Sequence, residues 1–140
     1  MNTVTENLLN ELKNVKDIKI FLNKHENEFL SETNISFINY MLISENTTVA
    51  KLAKASGIGE YLYKIVSGTR NPSRETSIAV GLALHLSLDE IQVLLRISKF
   101  ALLDSRDKRD SVIIFGFVNR FSVFEVDDLL AQNNLPTIND

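Results

Sequence analysis

Apolar residues along this chain recur at intervals of three and four nearly from end to end, a pattern that predicts helices rather than strands. Near the start, Val4, Leu8, Leu12 and Val15 keep helical spacing, with Thr3 placed to cap them. A second apolar cluster, Ile18 to Leu22, precedes the polar stretch Asn23 to Glu28. Ile35, Phe37, Ile38, Met41 and Leu42 form an amphipathic segment ending near Ser44-Glu45-Asn46. Thr47 and Thr48 are placed to cap a helix containing Val49, Leu52 and Ala53, which Gly57-Ile58-Gly59 breaks. A short helix follows from Glu60 to Val66, stopped by Ser67-Gly68. Thr69 to Ser73 reads as a loop, and Ser73 or Arg74 opens a helix with Ile78, Leu82 and Ala83 on one face. Ser87-x-x-Glu90 matches a capping box, before a helix with core positions Leu88, Ile91, Leu94 and Leu95.

Laid against itself with a shift of 35 residues, the second half of the chain repeats. Arg74-Glu75-Thr76 falls on Arg109-Asp110-Ser111, Gly81 on Gly116, Ser87 on Ser122 and Glu90 on Glu125. Leu88, Ile91, Leu94 and Leu95 fall on Val123, Val126, Leu129 and Leu130. The repeat settles an ambiguity at Ser111 to Val118, whose β-branched and aromatic run would suit a buried strand. Its partner at 76–83 is helical in pattern, so helix is predicted there too. The repeated pair is expected to be structural, covering the first pair through Ile78, Leu82, Ile91 and Leu95.

A chain of 140 residues with 44% hydrophobic content can bury a core. No cysteine is present, which removes disulfides, thiolate metal sites and cysteine nucleophiles together. The N-terminus lacks a basic stretch before an apolar run, and Val112 to Val118 is far too short to span a bilayer, so a cytoplasmic protein is expected, with no membrane partner. The net charge of −3 is unevenly distributed: residues 1–46 sum to −3, 47–74 to +4 and 75–140 to −4. Lys51, Lys54, Lys64, Arg70 and Arg74 thus stand against Glu60 alone, a cationic segment inside an acidic chain. On charge alone, a solvated helix face and a phosphate footprint fit that segment equally well.

The stretch from Thr48 to Ser73, Thr-Val-Ala-Lys-Leu-Ala-Lys-Ala-Ser-Gly-Ile-Gly-Glu-Tyr-Leu-Tyr-Lys-Ile-Val-Ser-Gly-Thr-Arg-Asn-Pro-Ser, resembles the helix-turn-helix of the lambda-repressor/Cro (Xre) family. Leu52-Ala53, Gly57, Leu62, Ile65 and Gly68 occupy that family's patterned positions, and the likeness runs over about residues 35–98. Ala53 is small enough for two helices to cross closely, and Gly57 permits positive φ in the turn. Gly57 to Gly68 spans 11 residues, one fewer than the family's usual spacing, and Gly59 is expected to absorb the difference. The resemblance implies an all-α fold: a lambda-repressor-like helix-turn-helix domain at 35–98, an N-terminal helical extension at 1–34 and a C-terminal helix pair at 99–140 packed on it.

What the resemblance implies about function is sequence-specific binding of duplex DNA by a bacterial transcription regulator, with a recognition helix at 59–66 in the major groove. Leu62 and Ile65 would bury its back, leaving Glu60, Tyr61, Tyr63 and Lys64 toward bases and sugars. Thr69, Arg70, Asn71 and Ser73 would grip the backbone, with Thr48 at the other helix's N-terminus. A homodimer is expected, because one such helix reads only a short half-site. The alternative is a protein-interaction module, an antitoxin or adaptor, that keeps the helix-turn-helix core and meets a protein partner through the acidic terminal segments. His25 and His85 lie 60 positions apart without metal-ligand spacing, and the chain has no nucleophile-elbow, Walker or dinucleotide fingerprint. No catalysis, cofactor or metal is therefore expected. The mixed-sign run Asp104 to Asp110 reads as a solvated loop and helix start.

Overall fold

The computed structural model describes residues 3–26 and 33–139, so the part of the polar stretch at 27 and 28 lies outside the described residues. Among them the only regular elements are helices: α1 Val4–Leu12, α2 Ile18–Lys24, α3 Asn34–Ser44, α4 Val49–Ser56, α5 Tyr61–Val66, α6 Arg74–Ala83, α7 Leu88–Ile97, α8 Lys108–Val118 and α9 Val123–Gln132. The fold is all-α, and Ser111 to Val118 is helical as its repeat partner implies. The chain divides into two compact units, 1–31 and 32–140. Among the described residues, no helix is long and apolar enough to cross a membrane.

The first unit carries α1 and α2. Thr3 and Glu6 close a capping box at the start of α1, and Asp17 caps α2. Helix α1 stops at Leu12, short of Val15. Glu11 ties the two helices, accepting from Lys24 Nζ at 2.8 Å and bonding the His25 ring. Those two partners hold the Glu11 carboxyl below its ordinary pKa.

The second unit carries α3–α9 around one core. Helix α5 packs on α3 and α4, α4 on α6, and α3 on α7. Ile38, Leu62, Ile65, Ile78, Ile91, Leu94, Leu95, Ile113, Val126 and Leu130 are fully buried. Leu129 and Leu88 are only half-buried, so the core register of α9 runs through Val123, Val126 and Leu130. Capping boxes at Ser87/Glu90 and Ser122/Glu125 open α7 and α9 as their sequences require.

Helices α3 and α6–α9 end without glycine. Asn46, His85, Lys99, Arg120 and Asn134 take left-handed φ of 52, 55, 63, 55 and 58°. Each sits just past a helix end, and the next residue's N–H bonds back into the last turn, as Leu86 N to Gly81 O at 3.0 Å and Phe121 N to Gly116 O at 2.9 Å. This closure satisfies orphan carbonyls. At α6–α9 the residue after the left-handed one is apolar and packs on the core: Leu86, Phe100, Phe121 and Leu135.

The two repeats, α6–α7 and α8–α9, contact each other reciprocally. Arg74 Nη2 reaches Asp110 Oδ2 at 3.1 Å, while Arg109 forks onto Glu75 at 2.7 and 2.6 Å. These are equivalent pairs exchanged between repeats, since Arg74 matches Arg109 and Glu75 matches Asp110. The glycines follow the same rule: a Cβ on Gly81 would meet Phe117, and one on Gly116 would meet Leu82, residues that are themselves equivalent. Contacts that reciprocate imply a two-fold relation; stacked solenoid repeats would contact in one direction only.

Candidate nucleic-acid interface

Helix α4 ends at Gly57, which adopts φ of 76°, and Gly59 follows at 71°. Two left-handed residues in three reverse the chain tightly, at little steric cost for glycine. The turn is closed by Gly59 N donating to Ala53 O at 3.1 Å. Because Gly59 is left-handed it cannot belong to the next helix, and Glu60 makes no side-chain cap. The helix expected at 59–66 is therefore the six-residue α5, Tyr61–Val66. Its back is set as expected, with Leu62 and Ile65 at 0% exposure. Gly68 closes its C-terminus, with Thr69 N bonding back to Lys64 O at 2.9 Å.

All nine sequence-predicted site residues are exposed: Thr48, Glu60, Tyr61, Tyr63, Lys64, Thr69, Arg70, Asn71 and Ser73. Tyr61, Asn71 and Ser73 line one open groove of about 660 Å³, together with Thr33 and Asn34 at the start of α3, Thr76, and the turn Ile97 to Phe100. Thr48, Glu60, Tyr63, Lys64, Thr69 and Arg70 are outside that groove's lining. Two of the nine also have local structural jobs. Thr48 caps α4 by accepting from Lys51 N at 3.2 Å, and Ser73 caps α6 by accepting from Thr76 N at 3.1 Å.

The charges of this segment separate into two kinds. Lys51, Lys54, Lys64 and Arg70 are exposed and make no ion pair among the described residues. Arg74 is different: its guanidinium bonds Asp110 and the carbonyls of Ala101 and Leu102 at 2.9 and 3.3 Å. It serves the repeat interface and leaves the cationic face. Asp110, read from sequence as solvated, is 7% exposed and also accepts from Asp104 N at 3.1 Å. The hydrogen bonds that Arg109 donates to Glu75 push the Arg109 guanidinium above its ordinary range.

Sequence reasoning placed Lys51 and Lys54 in the charge count but not among the site residues. Their signal was the count itself, and they lie on α4, one turn apart. It also missed Ser98 and Lys99 in the groove wall; Ser98 Oγ is buried without a hydrogen-bond partner among the described residues. The turn before α5 has a further neighbour. Asn139 Nδ2 donates to Ser56 O at 2.8 Å, and a Cβ at Gly57 would stand 2.5 Å from that amide nitrogen. Asp127 accepts from Ile138 N and Asn139 N at 2.6 and 3.1 Å, and Arg109 Nε donates to Pro136 O at 2.8 Å. Residues 136–139 thus strap the second repeat to the end of α4. Comparison with protein-family models, with curated proteins and with solved structures finds no match to this chain.

Proposed function

We propose that this protein binds duplex DNA as a sequence-specific regulator, offering α5 to the major groove and the loop at 67–73 to the backbone. The observation that carries the reading is that Lys51, Lys54, Lys64 and Arg70 are exposed and make no ion pair among the described residues, with Glu60 the one acidic residue in their segment. Arg74 and Arg109, by contrast, are held by carboxylates at the repeat interface. Exposed cations grouped on one segment attract phosphate and gain from counterion release. A helix of six residues is only about 9 Å long, so few side chains reach base edges. Tyr61, Tyr63, Lys64 and Glu60 fill that role, with Thr69, Arg70 and Asn71 on phosphates and sugars. The protein acts as a homodimer on paired half-sites.

The test is fluorescence anisotropy on labelled duplexes across a salt series, for the wild type and for Lys64→Glu with Arg70→Glu. Affinity should fall steeply with salt, by a log–log slope of about −0.9 per phosphate contacted. The double variant should bind far more weakly and lose about two contacts' worth of slope. Both side chains are exposed and make no side-chain hydrogen bond among the described residues, so circular dichroism should not change. Unaltered affinity in the variant, or binding indifferent to salt, overturns the reading.

A further inference from the structure

The two-fold relation between the repeats exposes a difference between them. A shift of 35 residues carries Val112, Phe115 and Leu129 back onto Ser77, Val80 and Leu94. In the first repeat all three are at 0% exposure, in helices α6 and α7 that receive α4 and α3. Among the described residues of the second unit, no helix covers the second repeat in this way. Phe115 is 52% exposed, and Val112 and Leu129 are half-buried. With Ser111 and Asn133 they line an open groove of about 240 Å³, and Val118, 63% exposed, continues it one turn along α8.

We propose that this groove is the docking face for a second copy of the chain, joined through the same face in a symmetric dimer. Its counterpart already accepts helices of this sequence, so its form suits a helix. Each copy carries both halves of the fit: a ridge, Phe115 and Val118, beside a hollow between Val112 and Leu129. A symmetric interface requires that self-complementarity. No charged side chain lines the groove, so the face can meet itself without burying like charges. The rim is polar and already ordered. Asn119 and Asn133 each donate one amide hydrogen to a backbone carbonyl, Phe115 O at 2.9 Å and Leu129 O at 2.7 Å, leaving the remaining amide groups for the partner. The apolar centre with a polar rim is the anatomy of a specific interface, and an aromatic at its centre is the common anchor.

The proposal names the dimer face of the DNA-binding reading but is tested without DNA, so either can fail alone. Light scattering on the intact chain should give twice the mass of 15.8 kDa. Phe115→Asp should raise the monomer–dimer midpoint at least about tenfold with helical content retained. Val118→Asp, at a more exposed position, gives the same reading should the first variant fold poorly. The chain contains no cysteine, so Asn119→Cys, on the rim, offers a bis-maleimide one site per copy while keeping Phe115, and any cross-link joins two copies. Asn119→Cys should cross-link efficiently, and Asp89→Cys, on the first repeat, should not. A mass of one chain at every concentration up to the solubility limit overturns the proposal. So does a dimer that survives both aspartates, or equal cross-linking at the two cysteines.

Discussion

Gly116→Ala should destabilise the protein although alanine is the better helix former. Gly116 lies inside α8, where alanine by itself would contribute about 1 kcal/mol. The new Cβ, however, would stand 2.4 Å from Val126 Cγ2. Val126 is fully buried and branched at Cβ, with a single strongly preferred rotamer in a helix, so α9 must move as a unit. Overpacking of this kind costs about 1–3 kcal/mol, and the stiffness of valine places it at the upper end, for a net loss of about 2 kcal/mol. The equivalent Gly81→Ala meets the Cδ1 end of Ile91 at 2.7 Å and the Phe117 ring at 3.3 Å. An isoleucine terminus can rotate, so this cost is about 1 kcal/mol and nearly cancels the propensity gain. Thermal unfolding followed by circular dichroism should therefore lower the midpoint by about 6 °C for Gly116→Ala and leave Gly81→Ala close to wild type. Adding Val126→Ala to Gly116→Ala removes the clash, so the double variant should be about 3 kcal/mol more stable than the two single losses summed. A Gly116→Ala protein as stable as wild type, or strict additivity in the cycle, would refute the packing of α8 against α9.

Truncation after Ser105 removes Asp110 and Arg109, the partners of Arg74 and Glu75, and should leave an aggregating fragment without a sharp denaturant transition; a fragment as cooperative as the intact chain would show the second repeat to be dispensable. In the full chain, Leu130→Ala should cost about 2–5 kcal/mol and the half-buried Leu129→Ala markedly less, by urea denaturation. His85→Gly and Arg120→Gly should each raise stability by about 0.5–1 kcal/mol in calorimetry, since glycine relieves the left-handed strain but gains freedom in the unfolded chain. The Glu11 carboxyl is lowered in the folded state, so the stability it adds is complete above the unfolded chain's carboxylate range and lost as pH falls through the lowered value. An NMR titration of the Glu11 side chain should find its midpoint below the ordinary glutamate value, and the shift should vanish in Lys24→Ala with His25→Ala.

Much of this architecture was legible because its signals are local. Thr3, Thr48, Ser73 and Ser87 cap where the sequence places them, and the 35-residue shift identifies α8 as a helix despite its strand-like composition. Other features depend on contacts that no window of sequence contains. Arg74 is indistinguishable from Arg70 in a charge count, and only the fold brings it to Asp110, 36 positions away. His85, Lys99 and Arg120 have no intrinsic taste for left-handed backbone; apolar residues just after them, pulled into the core, hold them there. Leu129 and Leu130 are adjacent, and a rotation of one residue about α9 decides which is buried. The start of α5 turned on whether Gly59 was helical or left-handed, a choice glycine leaves open until the turn is packed.

The strap at 136–139 gives the second unit an order of events. Asn139 meets Ser56 across 83 positions, among the most distant hydrogen bonds in the chain. Contacts of such separation carry a large loop-closure cost and are rewarded late. During synthesis α3, α4 and α5 are made well before Asn139, and their turn must wait for α8, α9 and the strap before Ser56 gains its last partner. The face carrying Lys51, Lys54 and Lys64 is consequently finished only when the whole unit has been made and folded. A nascent or clipped chain lacking Asn139 would display the same cations on an unbraced turn.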